Sequence, residues 1–141
     1  MPPEPTKMSA EDVEPNRRRG GDIRVMLSPR TVGATSGFMG VLKLPPGDYV
    51  TEHYHPYSEE FLYLVSGAMV VRVDDVDVSM ISGEALMVPQ NVRHRLTNTG
   101  TDEAFAVFQL CPLAPRPELG HVDTEPARQP AAPAPDVGGV T

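Results

Sequence analysis

Apolar and polar residues alternate along most of this chain, in short runs. Ile23, Val25 and Leu27 alternate with Arg24 and Met26, Met69, Val71 and Val73 are interrupted by Arg72, and Val76, Val78 and Met80 are separated by Asp77 and Ser79. A period of two sends successive side chains to opposite faces, so each run predicts a strand. Residues 37–44, 61–65, 86–88, 94–98 and 104–110 extend the series. Between the runs stand Ser28-Pro29, Pro45-Pro46-Gly47, Gly67, Asp74-Asp75, Ser82-Gly83 and Asn98-Thr99-Gly100, residue types that turn a chain. No stretch of useful length carries apolar residues at helical spacing, whereas about nine short strands fit. The class is all-β, and the pattern suits a sandwich and a jelly-roll barrel equally.

Composition narrows the folded part. Four prolines precede Gly20 and four follow His121, among small or charged residues with almost nothing large and apolar. Such segments bury too little surface to offset their ordering entropy. The reading is a disordered arm over 1–19, a single domain over 20–122, and a disordered Pro/Ala-rich tail over 123–141. A core of roughly a hundred residues is small and its sheets have edges, which predicts a homodimer. The formal charge of −7, with twelve acids against seven Lys and Arg in residues 20–120, argues against nucleic acid as a partner. Arg17, Arg18 and Arg19 are the one basic cluster and read as a solvated lead-in. With no long apolar run and no hydrophobic leader in the first residues, a soluble, cytoplasmic protein without a membrane partner is expected. The single cysteine, Cys111, has no internal partner and reads as a small hydrophobe at a strand end.

Candidate chemistry gathers in two stretches. In 47–67, GDYVTEHYHPYSEEFLYLVSG, His53 and His55 are two apart on a strand and share a face, together with Tyr49 and Thr51. Pro56 and Ser58 turn the chain, and Glu60 opens the next strand, where it can bring a carboxylate back toward the imidazoles. Glu59 competes for that place, but neighbours on a strand face opposite ways, and Glu60 shares a face with Leu62 and Leu64. In 83–98, GEALMVPQNVRHRLTN, a proline turn delivers His94. His53, His55, Glu60 and His94 are therefore the predicted metal ligands, while His121, at the edge of the tail, reads as a surface residue. Three imidazoles and a carboxylate leave a coordination position open. Imidazole suits zinc, iron, nickel and copper, and carboxylate tolerates manganese, so the set does not name the ion. Alternate residues, Met39, Val41, Leu62, Leu64, Leu86 and Leu96 among them, predict an apolar lining. Tyr49 and Thr51 are candidates to orient a substrate carbonyl.

The two stretches carry the motifs of the cupin superfamily, which this chain resembles: Gly47, His53, His55, Glu60 and Gly67 at the first motif's spacing, Gly83, Pro89, His94 and Asn98 at the second's. Asn91 stands where that motif has glycine; Asn tolerates a left-handed backbone, so the turn is expected to survive. The resemblance implies a jelly roll over about 23–113. The stretches SPRTVGATSGFMG, VTEHYHPYSEEFLYLVSG, VPQNVRHRLTNTG and LAPRPELGHVDTE resemble a narrower group, the small cupin-type cyclases of bacterial aromatic (type II) polyketide biosynthesis, the tetracenomycin and resistomycin cyclases. That resemblance implies a poly-β-ketone substrate, carried by its acyl carrier protein or already partly cyclised. The reaction would be intramolecular aldol condensation and dehydration to an aromatic ring, with zinc as the implied ion and iron, manganese or nickel as alternatives. Some relatives are described with histidine ligands only, and Glu60 departs from them. Two other classes fit the residues: a metal-dependent oxygenase or dioxygenase acting on an aromatic polyketide, and a non-enzymatic accessory of the synthase complex.

Overall fold

The computed structural model describes residues 6–135 and 137; residues 1–5, 136 and 138–141, the outermost parts of the two arms expected to be disordered, lie outside the described residues. Among the described residues are ten strands: β1 Asp22–Leu27, β2 Phe38–Leu44, β3 Tyr49–Tyr54, β4 Glu59–Ser66, β5 Ala68–Val73, β6 Val76–Ile81, β7 Ala85–Val88, β8 His94–Thr97, β9 Ala104–Cys111 and β10 Val122–Asp123. They form two five-stranded antiparallel sheets, ordered β1-β2-β9-β4-β7 and β10-β3-β8-β5-β6. This is the jelly roll expected from the motifs. A short α-helical turn, Pro29–Val32, begins where Ser28-Pro29 was expected to break the first strand, capped by the Ser28 hydroxyl on the Thr31 amide. The tenth strand has only two residues, too few for a period to register.

The inner faces of the sheets meet in a core built around Leu42, Leu44, Leu62, Leu64, Met69, Val71, Leu96 and Phe108. The expected inward residues of β4 hold, but β2 is turned the other way. Leu42 and Leu44 are buried, Phe38 packs against the core, and Met39 and Val41 lie on the opposite side with the exposed Lys43. Both faces of this strand are apolar, so alternation alone cannot choose between them; the lysine marks the outer one.

Turn chemistry is where local sequence dictates most. Asp74 and Asp75, at φ 45° and 70°, close the β5–β6 hairpin, and Arg93 Nη2 pairs with both carboxylates at 2.9 and 3.2 Å. Asn91 takes φ 68°, so asparagine serves where the motif has glycine. Asn98 is buried, donates to the carbonyls of Leu44 and Asp102 at 2.7 and 2.8 Å, and accepts from the Gly100 amide, so it ties the β8–β9 turn to β2. Gly67 adopts φ 90°, and a Cβ there would stand 2.8 Å from Ala104 Cα. Backbone strain and overlap add, so Gly67→Ala is expected to destabilise the fold by about 1–3 kcal/mol. Chemical denaturation checks this, with Asn91→Gly as a control within about 0.5 kcal/mol of the parent.

The inner portions of both arms are engaged with the barrel. Arg18 donates from Nη1 to the carbonyls of Pro130 and Ala132 at 2.7 and 2.8 Å, and Gln129 N returns a bond to Arg18 O. Arg19 Nε meets Asp123 Oδ1 at 2.7 Å, and Glu125 pairs with Arg95 at 2.9 Å. Arg18 and Arg19 are thus not a solvated lead-in: they hold the C-terminal segment against β3. Composition measures what a segment can bury by itself and is blind to such pairings.

Candidate metal centre

β3 and β8 run side by side with His53 opposite His94, and His55 follows at the end of β3. The three rings lie with centroids 4.4, 5.0 and 5.2 Å apart, and one ring nitrogen from each falls within 4.8 Å of the other two. All three side chains are largely buried. Each Nδ1 meets a backbone carbonyl: His53 that of Thr51 at 2.7 Å, His94 that of Val92 at 3.0 Å, His55 that of Gly120 at 3.0 Å. A carbonyl can only accept, so Nδ1 carries a proton, and in the neutral ring Nε2 presents its lone pair to the cluster. This is the tautomer and orientation of histidines that bind metal through Nε2.

Glu60 extends from β4, in the other sheet, on the same face as Leu62 and Leu64, while Glu59 is exposed. Its Oε2 lies 2.8 Å from His94 Nε2 and 3.7 Å from His55 Nε2. Even so, neither buried nitrogen has a hydrogen bond of acceptable direction. Three ring nitrogens that converge with a carboxylate beside them suit a shared cation, and this donor set fits a divalent ion of the zinc or first-row type. Glu60 does not belong to the group whose ligand atoms all lie within 4.8 Å of one another, which consists of His53, His55 and His94. It approaches from the side of His94 and His55.

The charges follow the burial. His53 is held well below the ordinary imidazole range, chiefly by desolvation and then by His94 and His55. Burial also lowers His55. In His94 burial opposes protonation, but the Glu60 carboxylate outweighs it and raises the group. Glu60 shows the converse: burial works to raise it, and His94, His55 and Arg19 hold it below the usual carboxylate range.

Beside the histidines opens a cavity of about 100 Å3 lined by His53, His55, Glu60, Leu42, Leu62, Leu96, Phe38 and Phe108, by Arg19 and Pro135 of the two arms, and by His121 at the edge of the tail. Cavities of this scale accept a single small ring. Tyr49 is not in this wall. A register irregularity between Val50 and His53 in the β3–β8 pairing shifts the alternation, so Val50 points inward with His53. The Tyr49 ring lies instead between the guanidinium groups of Arg95 and Arg128, 4.0 and 4.3 Å from its centroid. Thr51 is buried, with an unpartnered Oγ1, but is not among the residues of the cavity wall. His121, expected at the surface, lines the cavity, and burial together with the charge of Arg19 lowers it to about 4, so it is neutral at pH 7. Gly120 beside it holds His55. No periodicity marks either residue; the only signal was a fourth histidine just before the tail.

A family profile for the cupin domain matches residues 40–110. The chain is 61% identical over 115 residues to protein SchB of Streptomyces halstedii, covering 82% of this chain and 83% of that one. It is 54% identical over 133 residues to tetracenomycin polyketide synthase protein TcmJ of Streptomyces glaucescens, covering 94% and 89%. Among solved structures, a predicted oxalate decarboxylase from Thermotoga maritima superposes with a TM-score of 0.66 at 23% identity, over 77% of this chain and all of that one, a likeness of fold.

Proposed function

The chain belongs to the cupin domain family, and we propose that it works in aromatic polyketide biosynthesis as a cyclase, closing a ring of a poly-β-ketone by intramolecular aldol condensation and dehydration. The observation that carries the reading is the histidine triad opening onto an apolar cavity of one-ring scale. The relative named as a tetracenomycin polyketide synthase protein, matched over nearly the whole chain, supports the pathway.

His53, His55 and His94, with Glu60 beside them, would hold a divalent ion, zinc first and iron, manganese or nickel as alternatives. When bound, such an ion acts as a Lewis acid toward a ketone oxygen and the enolate derived from it. The protein does the rest by placement. Backbone carbonyls fix all three imidazoles before any ligand arrives, so little reorganisation is needed at the moment of reaction. Leu42, Leu62, Leu96 and Phe108 exclude water and press two segments of one chain into contact, which turns an intramolecular encounter into a near-attack arrangement. His121 offers a neutral ring nitrogen to a proton in transit. A methylene C–H bond breaks, its carbon bonds to a carbonyl carbon of the same chain, the alkoxide takes up a proton, and water leaves. The cavity accommodates the ring being formed, and the rest of the chain, free or on its acyl carrier protein, would extend past the loop at Leu113, Ala114 and Pro117. Ring closure by the purified protein without oxygen, measured against His53→Ala, tests the reading.

The proposed assembly is a homodimer. On the outer face of β4 and β7, Phe61, Tyr63 and Met87 are 42%, 46% and 43% exposed, side by side and without charge. A second copy covering this face would remove them from water. Light scattering is expected to give twice the chain mass, and Tyr63→Glu, which sets like charges in a self-facing contact, to shift it toward the monomer. A parent protein of single-chain mass at micromolar concentration would end the idea.

A further inference from the structure

The arginine at the junction of the N-terminal arm and the barrel is a buried cation with an unspent donor. Arg19 is 6% exposed. Its Nε is used by Asp123 and its carbonyl by the Thr51 amide, but its Nη2 is buried with no hydrogen-bond partner among the described residues. Arg18, next to it, spends its Nη1 on two backbone carbonyls. An unsatisfied buried N–H is costly and uncommon in native proteins. Arg19 also lines the cavity, and its charge is felt by His53, His55, Glu60, His94 and His121 together. A guanidinium that merely clasped Asp123 would have no reason to stand among these groups with a donor left over.

We propose that Arg19 is the ligand-recognising cation of the cavity, and that its Nη2 donates to an anionic oxygen of a ligand whose neighbouring oxygen is turned toward the histidine cluster. The ligand class is a ring-sized apolar molecule carrying two oxygens on one delocalised anionic group. A β-dicarbonyl in its enolate form and a carboxylate share that chemistry. Guanidinium forms strong charge-assisted bonds to such groups, and the apolar part of the wall, Ile23, Phe38, Leu42, Leu62 and Phe108 included, offers no donor. The proposal deepens the cyclase reading: a poly-β-ketone presents 1,3-related oxygens along its length, and Arg19 would select the register in which one pair is seated.

Calorimetric titration of the full-length, metal-loaded protein with benzoylacetone, benzoate and acetophenone tests this. Benzoylacetone is expected to bind, and Arg19→Gln and Arg19→Lys to weaken it roughly ten- to a hundred-fold, the loss of one charge-assisted bond, with metal content unchanged. Acetophenone, with one neutral oxygen, is expected to bind weakly and equally in all three proteins. Arg19-dependent binding of benzoate alone would identify the group as a carboxylate. Since Arg19 also holds Asp123, a measurement on the parent protein stands beside the variants: the Nε–Hε resonance of Arg19 is expected to shift when the probe is added. Variants that bind as tightly as the parent, a resonance that stays in place, or a parent that binds neither anion would overturn the proposal. Ring closure unaffected by Arg19→Gln would remove Arg19 and leave the cyclase standing. Arg19-dependent probe binding without ring closure would do the reverse.

Discussion

His53→Ala is expected to leave a folded protein that no longer holds metal. The parent should carry about one divalent ion per chain, since one cluster of three histidines with a carboxylate beside it is present among the described residues. Removing His53 takes away a ring of the cluster whose tautomer is already set by the Thr51 carbonyl. Affinity is expected to fall by more than about a hundred-fold, beyond the ten- to hundred-fold typical of losing an outer hydrogen-bond partner. His53 is the informative choice because its removal strands only that carbonyl, costing about 1–3 kcal/mol, whereas His94→Ala also strips the buried Glu60 of its nearest partner. The measurements are elemental analysis and melting with and without a chelator. Chelation should lower the melting temperature of the parent, because an ion that binds only the native state stabilises it, and should leave that of His53→Ala unchanged. Full occupancy in the variant would remove the assignment.

Ring closure is expected to proceed under strict anaerobiosis and to survive replacement of the native ion by zinc. Aldol condensation and dehydration transfer protons and expel water, and no electron leaves the substrate, so neither oxygen nor a redox-active ion has a part. An oxygenase on the same fold would need both. The assay offers a reconstituted or carrier-bound polyketide to the purified protein, with His53→Ala as control. Product in the absence of oxygen that depends on His53 is the expected outcome. Product only in air, with oxygen incorporated, would assign an oxygenase. Turnover restored only by adding the synthase would assign an accessory role.

The histidine cluster was legible in the residues because its logic is local. His53 and His55 sit two apart at the end of one strand, Pro89 and Asn91 shape the turn that delivers His94, and the parity of Glu60 with Leu62 and Leu64 separates it from Glu59. The all-β class was legible for the same reason, since alternation and turn residues act over a few positions, whereas the jelly roll was chosen over a sandwich by the motif resemblance.

The rest of the cavity depends on pairings between distant parts of the chain. A register irregularity in the β3–β8 ladder sends Tyr49 outward and Val50 inward, and nothing within β3 announces it. β2 is apolar on both faces apart from Lys43, and its place beside β9 is what brings Phe38 and Leu42 into the wall of the site. Arg19 reaches the cavity from an arm of low apolar content and His121 from the edge of the tail, held by contacts such as the Arg19–Asp123 pair across 104 residues. A strand's own side chains determine its period and its turns; which face is inward, and which charged residue of an arm becomes part of the wall, is settled by the energy of contacts that exist only after the sheets have closed.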